Sequence, residues 1–103
     1  IMGTELRDVL RGTNGADVIQ GLGGNDTISG LRGSDTICGG KGNDNVNGRP
    51  GYDRLFGDAG HDRLSGSDGR DRLDGGSGRD QCNGGSPRRG DTARHCEQVT
   101  NVP

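Results

Sequence analysis

Apolar side chains recur along this chain every nine residues, and each one stands between two mostly polar neighbours. From Gly12 to Asn83 the chain divides without a gap into eight blocks: GTNGADVIQ, GLGGNDTIS, GLRGSDTIC, GGKGNDNVN, GRPGYDRLF, GDAGHDRLS, GSDGRDRLD and GGSGRDQCN. Position 8 of a block is Ile, Val or Leu, except in the last, where it is Cys82. Such alternation is typical of a short strand with one face turned inward. The pattern therefore predicts one short strand per block.

The first half of each block predicts a turn. Positions 1 and 4 are Gly and position 6 is Asp in all eight blocks. Glycine permits a left-handed or closely packed backbone, and Asp stabilises turns locally. A turn and a strand repeated in register make a solenoid, and turns on alternate edges give 18 residues per coil. We expect an all-β fold of two short parallel sheets, with strands about 4.8 Å apart.

This coil sorts the apolar positions into two inward files. One file is predicted to contain Ile1, Ile19, Ile37, Leu55 and Leu73, and the other Leu10, Ile28, Val46, Leu64 and Cys82. The pattern divides the chain into an N-terminal partial or capping repeat over 1–11, eight repeats over 12–83, and a degenerate ninth repeat with a C-terminal cap over 84–103. In the partial repeat Leu6 stands where Gly is expected, which we interpret as apolar closure of the end.

The composition leaves little apolar material for a core. Of 103 residues only 24% are hydrophobic, 23 are Gly, and the aromatic residues are one Tyr and one Phe. Fifteen acidic residues oppose 13 basic ones, for a net charge of −2. Such a composition normally predicts disorder, so something other than apolar burial has to hold the coils together. No apolar run is long enough to span a membrane.

The acidic position of the repeat suggests what that is. Asn occurs at several other positions of the blocks, yet position 6 is always Asp. Asn would serve equally well if the residue were only a turn former, which is the alternative interpretation. Stacked carboxylates repel one another unless a cation lies between them. Carboxylate and carbonyl oxygens are ligands of hard cations, and Ca²⁺ tolerates many ligands in loose geometry.

The blocks resemble the repeats-in-toxin (RTX) nonapeptide G-G-x-G-x-D-x-U-x, over the whole of residues 12–83. The resemblance implies a right-handed parallel β-roll in which Ca²⁺ lies between neighbouring turns of one edge. The ligands would be the position-6 Asp and backbone carbonyls of the Gly-rich turn. It also implies a chain that stays unfolded at low cytosolic calcium and folds outside the cell. The Cys96-Glu97 tail is similar to that of secreted calcium-binding proteins of actinobacterial type.

The 18-residue coil places the candidate ligands on two edges. The side-chain ligands on one edge are Asp17, Asp35, Asp53 and Asp71, and those on the other are Asp26, Asp44, Asp62 and Asp80. The turn backbone ligands centre on Gly15, Gly24, Gly33, Gly42, Gly51, Gly60, Gly69 and Gly78. Three gaps on each edge predict about six Ca²⁺ sites. Asp8 and Asp91 would each add a partial one, for up to about eight.

The three cysteines leave one unpaired. Cys82 occupies the inward position of the last repeat and Cys96 lies in the tail, and we predict that the two form a disulfide. The tail would then cross the open end of the roll, with Ala93 and Val99 covering the last coil. A disulfide indicates an oxidising, extracellular location. Cys38 would be a free or intermolecular thiol.

The outer faces suggest partners other than calcium. Arg54, Arg63 and Arg72 lie at outward positions, so they form either a polyanion-binding surface or a solubilising face that offsets the Asp charges. No aromatic residues interleave with them, which argues against nucleic acid. Cys38 and Phe56 would lie one coil apart and form a patch for docking or self-association.

No catalytic constellation is visible, since neither His61 nor His95 pairs with a nucleophile. We predict a calcium-binding structural module rather than an enzyme. Two alternatives stay open. The chain is either a calcium-dependent adhesion module with an Arg-rich face, or the C-terminal module of a larger secreted hydrolase or toxin.

Overall fold

The fold consists of three-residue strands separated by turns. A computed structural model describes residues 1–67, 69–84, 92–96 and 98–100. These residues contain no helix, and hence none long and apolar enough to cross a membrane. The strands are β1 (Val9–Arg11), β2 (Val18–Gln20), β3 (Thr27–Ser29), β4 (Thr36–Cys38), β5 (Asn45–Asn47), β6 (Arg54–Phe56), β7 (Arg63–Ser65), β8 (Arg72–Asp74), β9 (Gln81–Asn83), β10 (Thr92–Arg94) and β11 (Gln98–Thr100).

Alternate strands belong to opposite sheets, as the nonapeptide period predicts. One sheet has the order β1-β3-β5-β7-β9-β11 and the other β2-β4-β6-β8-β10, and every neighbouring pair is parallel. From β1 to β9 each residue pairs with the one 18 positions away, as Ile19 with Ile37 and Ile37 with Leu55. The predicted all-β roll with 18 residues per coil is therefore confirmed.

The core is two files of aliphatic side chains, one from each sheet. The buried apolar residues are Ile19, Ile28, Ile37, Val46, Leu55, Leu64, Leu73 and Cys82, with Leu10 packed against them. These are the predicted files, except at the N-terminal end. Ile1 has the expected register, because its N–H and C=O groups bond to β2, but its side chain is 49% exposed. Leu6 is 75% exposed, so the interpretation that it closes this end with an apolar side chain is wrong.

The C-terminal tail continues the roll. Strand β10 pairs with β8 at a spacing of 20 residues, because the disrupted ninth block adds two residues, and β11 pairs with β9. The prediction that the tail leaves the strand pattern is therefore wrong. Cys82 and Cys96 form the predicted disulfide, and Ala93 and Cys96 pack against the core. Val99 is in register with Cys82, and Cys38 is a half-buried free thiol.

Candidate metal centre

Two rows of aspartates run along the edges of the roll, where each turn leads into a strand. Each carboxylate accepts, through Oδ1, a hydrogen bond from the backbone N–H of the aspartate 18 residues earlier, at 2.8–3.0 Å. The first ladder is Asp17, Asp35, Asp53 and Asp71, and the second ladder is Asp8, Asp26, Asp44, Asp62 and Asp80. The structure thus brings the predicted side chains together in the predicted two rows.

The other carboxylate oxygen is buried and faces acceptors. Oδ2 has no hydrogen-bond partner in Asp26, Asp35, Asp44, Asp53 and Asp62, whose residues are only 1–2% exposed. A Cβ added to Gly21 would lie 2.6 Å from both Asp26 Oδ2 and the carbonyl oxygen of Gly39. The same relation joins Asp62 Oδ2 and the Gly75 carbonyl around Gly57, at 2.5 and 2.8 Å. Two oxygens that can only accept therefore face one small space, where a cation or a proton would have to lie.

Burial makes these carboxylates resist ionisation when no cation is bound. Removal from water raises the pKa of Asp44 and of Asp53 to about 7 and that of Asp62 to about 8, from 3.8. The carboxylates of neighbouring coils raise them further, while the N–H donors of the ladder act in the opposite direction. Burial likewise raises the pKa of Asp26 and Asp35. The ionised ladder is thus unfavourable without a compensating positive charge.

These shifts predict how pH acts on the metal-free chain. The folded-state pKa of Asp44, Asp53 and Asp62 lies above the unfolded value of about 3.8, so the metal-free roll binds more protons than the unfolded chain. Its stability is fully present below about pH 4 and is lost as pH rises through about 7–8. Far-UV circular dichroism of metal-stripped protein should show more β-structure at pH 5 than at pH 8.5. A β signal that grows towards high pH would contradict this.

The ligands available at each ladder are those of calcium. Among the described residues no three His, Cys, Asp or Glu side chains come together as a metal-binding group. A cation at the ladder would therefore need backbone carbonyls as well as carboxylates, and both lie around the position-1 glycines. An all-oxygen set of this kind suits a hard cation with flexible coordination, which fits Ca²⁺ better than Zn²⁺ or a soft metal.

The glycine-rich turns allow neighbouring coils to approach closely. Position 4 has positive φ in all the candidate glycines except Gly15, and position 2 has positive φ in every repeat from Leu22 onwards. A Cβ on Gly33 would meet the Gly15 carbonyl at 2.5 Å, and those on Gly42, Gly51, Gly60, Gly69 and Gly78 would collide with the carbonyl one coil below. Only glycine therefore fits position 4 once a coil lies beneath it.

The first turn of each edge has a different conformation. Neither Thr4 nor Thr13, at position 2, has positive φ, and each donates its N–H to the Oδ2 of its own aspartate at 2.6 Å. The threonine hydroxyl also donates to that carboxylate, at 3.0–3.2 Å. The N–H of Thr13 is the largest cause of a lowered pKa of Asp17. Asp17 therefore resembles Asp8 as a ladder end, whereas the sequence pattern grouped it with the interior aspartates.

We expect the Thr13→Val variant to unfold more readily than the parent. It loses the hydroxyl bonds to Asp17 and to the Gly15 N–H while it keeps the backbone bond. Loss of a hydrogen-bonded cap should lower the Tm of the calcium-bound form by roughly 4–8 °C. Thr27→Val is the matched control, since Thr27 lies exposed on β3, and its Tm should stay within about 3 °C of the parent. Equal effects of both substitutions would contradict a capping role.

A second side-chain ladder runs along position 5 of the second edge. Asn25 Oδ1 accepts the N–H of Asn43, Asn43 Oδ1 accepts the N–H of His61, and His61 Nδ1 accepts the N–H of Arg79, all at 2.8–2.9 Å. Sequence reasoning treated His61 as a variable turn residue. The available signal was an acceptor side chain at every eighteenth residue.

The remaining predicted features have mixed outcomes. Cys38 and Phe56 are register partners on β4 and β6 and are half-buried, as the repeat predicts. Asp91 and Glu97 lie outside the described residues. In the tail His95 Nδ1 lies 2.8 Å from Asp74 Oδ1, a contact that sequence reasoning did not predict.

Comparison with known families agrees with this geometry. A family model described as RTX calcium-binding nonapeptide repeat (4 copies) matches residues 2–37, 22–55, 39–71 and 56–86. The matched ranges cover 2–86, and they include every interior aspartate of both ladders. No curated protein matches the sequence.

Proposed function

The chain belongs to the RTX family, whose nonapeptide repeats bind calcium, and we propose that calcium binding is what folds its β-roll. The ions would be held between neighbouring turns of each edge by the ladder aspartates and by carbonyl groups of the Gly-rich turns. A bound ion would supply the positive charge that the buried carboxylates lack. Binding free energy would then contribute directly to folding, because the unfolded chain has no assembled site.

The observation that carries this proposal is the buried Oδ2 atom. In five interior aspartates it has no donor, and in Asp26 and Asp62 it shares its space with a backbone carbonyl. An Asp that served only as a turn former would need neither burial nor a second free oxygen. A cation satisfies both acceptors at once, and the two sheets alone supply only eight buried apolar side chains to hold the roll together.

The turn geometry divides the candidate intervals into two kinds. Both flanking turns have the left-handed position-4 glycine in the intervals 26/44, 35/53, 44/62, 53/71 and 62/80. The intervals 8/26 and 17/35 have a Thr-capped turn on one side. We therefore expect five equivalent sites and two weaker or altered ones, rather than six equivalent sites. Residues 1–11 and 84–103 would act as the end caps.

The proposed location is outside the cell. RTX repeats are typical of secreted proteins, and the disulfide between Cys82 and Cys96 suits an oxidising environment. Extracellular calcium modules usually have dissociation constants of about 10⁻⁴–10⁻³ M. Such affinities would keep the chain unfolded at cytosolic calcium and folded after export.

Native mass spectrometry of the calcium-titrated protein tests the proposal. We expect several Ca²⁺ ions to bind over a narrow concentration range. The Asp62→Asn variant should bind at least one ion fewer, because it loses a buried carboxylate that two intervals share. Asp58→Asn is the matched control, since Asp58 is exposed and lies outside both ladders. No ion binding by the parent, or the same stoichiometry in all three proteins, would overturn the proposal.

A further inference from the structure

A groove of about 500 Å³ lies on the first edge, where the turns lead into β4, β6 and β8. Its walls contain Arg54 and Arg72, which are register partners on neighbouring strands, and Arg70 from the turn before β8. Tyr52, whose side chain is 68% exposed, borders the groove two residues before Arg54. The carboxylates of Asp35 and Asp53, two members of the first ladder, also line it.

The three arginines are available for a ligand. All are exposed, and no ion pair joins Arg54, Arg70 or Arg72 to a carboxylate within the part of the chain that the structure describes. The interpretation that this face pairs with the Asp charges is therefore not supported at these residues. Neighbouring strands lie about 4.8 Å apart, so the guanidinium groups of Arg54 and Arg72 can reach the same oxyanion or two adjacent ones. The planar guanidinium fork binds sulfate and phosphate groups through two hydrogen bonds.

The aspartates in the groove make its charge depend on calcium, and here the inference rests on the proposed function. Without a cation, two ionised carboxylates lie beside the arginines and oppose an anionic ligand. With Ca²⁺ held between the turns of Asp35 and Asp53, the same wall becomes neutral or positive. The groove should therefore favour anions only in the calcium-bound form.

We propose that this groove binds the sulfate or phosphate esters of an acidic glycan in a calcium-dependent manner. Thr36, Arg54 and Arg72 form a row of register partners along the roll axis, which suits a linear chain with repeated charged groups. Tyr52 offers one aromatic face against which a sugar ring can pack. A single aromatic residue does not provide the series of stacking platforms that single-stranded nucleic acids use.

Fluorescence anisotropy of a labelled dextran sulfate oligosaccharide tests this proposal. In millimolar calcium the parent protein should bind it saturably, and unsulfated dextran should not bind. The Arg54, Arg70 and Arg72→Ala triple variant should bind at least about tenfold more weakly. The matched control replaces Arg7, Arg11 and Lys41 by Ala, none of which lines the groove, and its affinity should stay within about twofold of the parent. Chelation should abolish binding by the parent.

The outcomes separate this proposal from the proposed function. Circular dichroism and calcium stoichiometry are measured for every variant, and Arg54→Gln is used alone if the triple variant does not fold. A parent that folds with calcium but does not bind the sulfated probe overturns the groove assignment and leaves calcium-dependent folding intact. Equal weakening in the control variant, or binding that persists in chelator, also overturns it. Tighter binding of single-stranded DNA would assign the groove to nucleic acid, and displacement of the probe by millimolar inorganic sulfate would assign it to small anions.

Discussion

Chelation of calcium is expected to convert the protein from a β-rich form to a coil. Far-UV circular dichroism should show β-structure in millimolar Ca²⁺, loss of that signal in excess EDTA at pH 8, and recovery when Ca²⁺ is restored. The physical reason is the small core. Fixing the backbone costs roughly 1–2 kcal/mol per residue, and two single files of side chains cannot offset that cost for a chain of 103 residues.

The ladders add to the instability of the metal-free roll. Each buried Oδ2 either stays ionised without a partner or takes up a proton, and the pKa of Asp62 at about 8 shows that neither state is favourable near neutral pH. Mg²⁺ at the same concentration is the matched control. It should not restore the β signal, because it demands a small octahedral shell and keeps its water ligands. A β spectrum that persists unchanged in EDTA at pH 8 would refute calcium-dependent folding.

Replacement of Gly51 by Ala is the single substitution expected to have the largest effect. Gly51 has φ of 123°, and a Cβ there would collide with the carbonyl of Gly33 one coil below. A left-handed backbone alone costs a non-glycine residue about 1–2 kcal/mol, and the collision would separate two coils that share an ion site. We expect the calcium midpoint of folding to rise at least about tenfold, as measured by circular dichroism during titration.

Gly15→Ala is the matched control, at the same position of the repeat and on the same edge. Gly15 does not have a left-handed φ, and the nearest atom to an added Cβ would be Thr13 Oγ1 at 3.8 Å. Its calcium midpoint should stay within about twofold of the parent, since a compatible Gly→Ala change is neutral or slightly stabilising. If Gly15→Ala were as damaging as Gly51→Ala, the difference between the first turn and the later turns would not hold in solution.

Sequence reasoning predicted the interior of the roll because one rule operates there. The nine-residue period determines the sheet register, the inward files and the two aspartate ladders, and it placed Cys82 beside the tail that contains Cys96. These features follow from any two neighbouring coils, so a repeated sequence is sufficient to derive them.

The ends were harder to predict, because there a coil has only one neighbour. Leu6 suggested an apolar closure, whereas the structure closes the first turns through the hydrogen bonds of Thr4 and Thr13. The signal was Thr at position 2 of the first repeat on each edge. At the other end the irregular ninth block hid the strands β10 and β11, whose pairing depends on the backbone and not on the repeat.

The single file of core side chains gives damage a positional meaning. Each coil contacts only the coils above and below it, so the elements of the roll act in series and no second layer bridges a defect. A lesion in an end coil shortens the roll and leaves the rest intact. The same lesion beside Leu55, near the middle, interrupts the stack and leaves two short segments. Tolerance to mutation should therefore be lowest at the centre of the sequence and rise towards both ends.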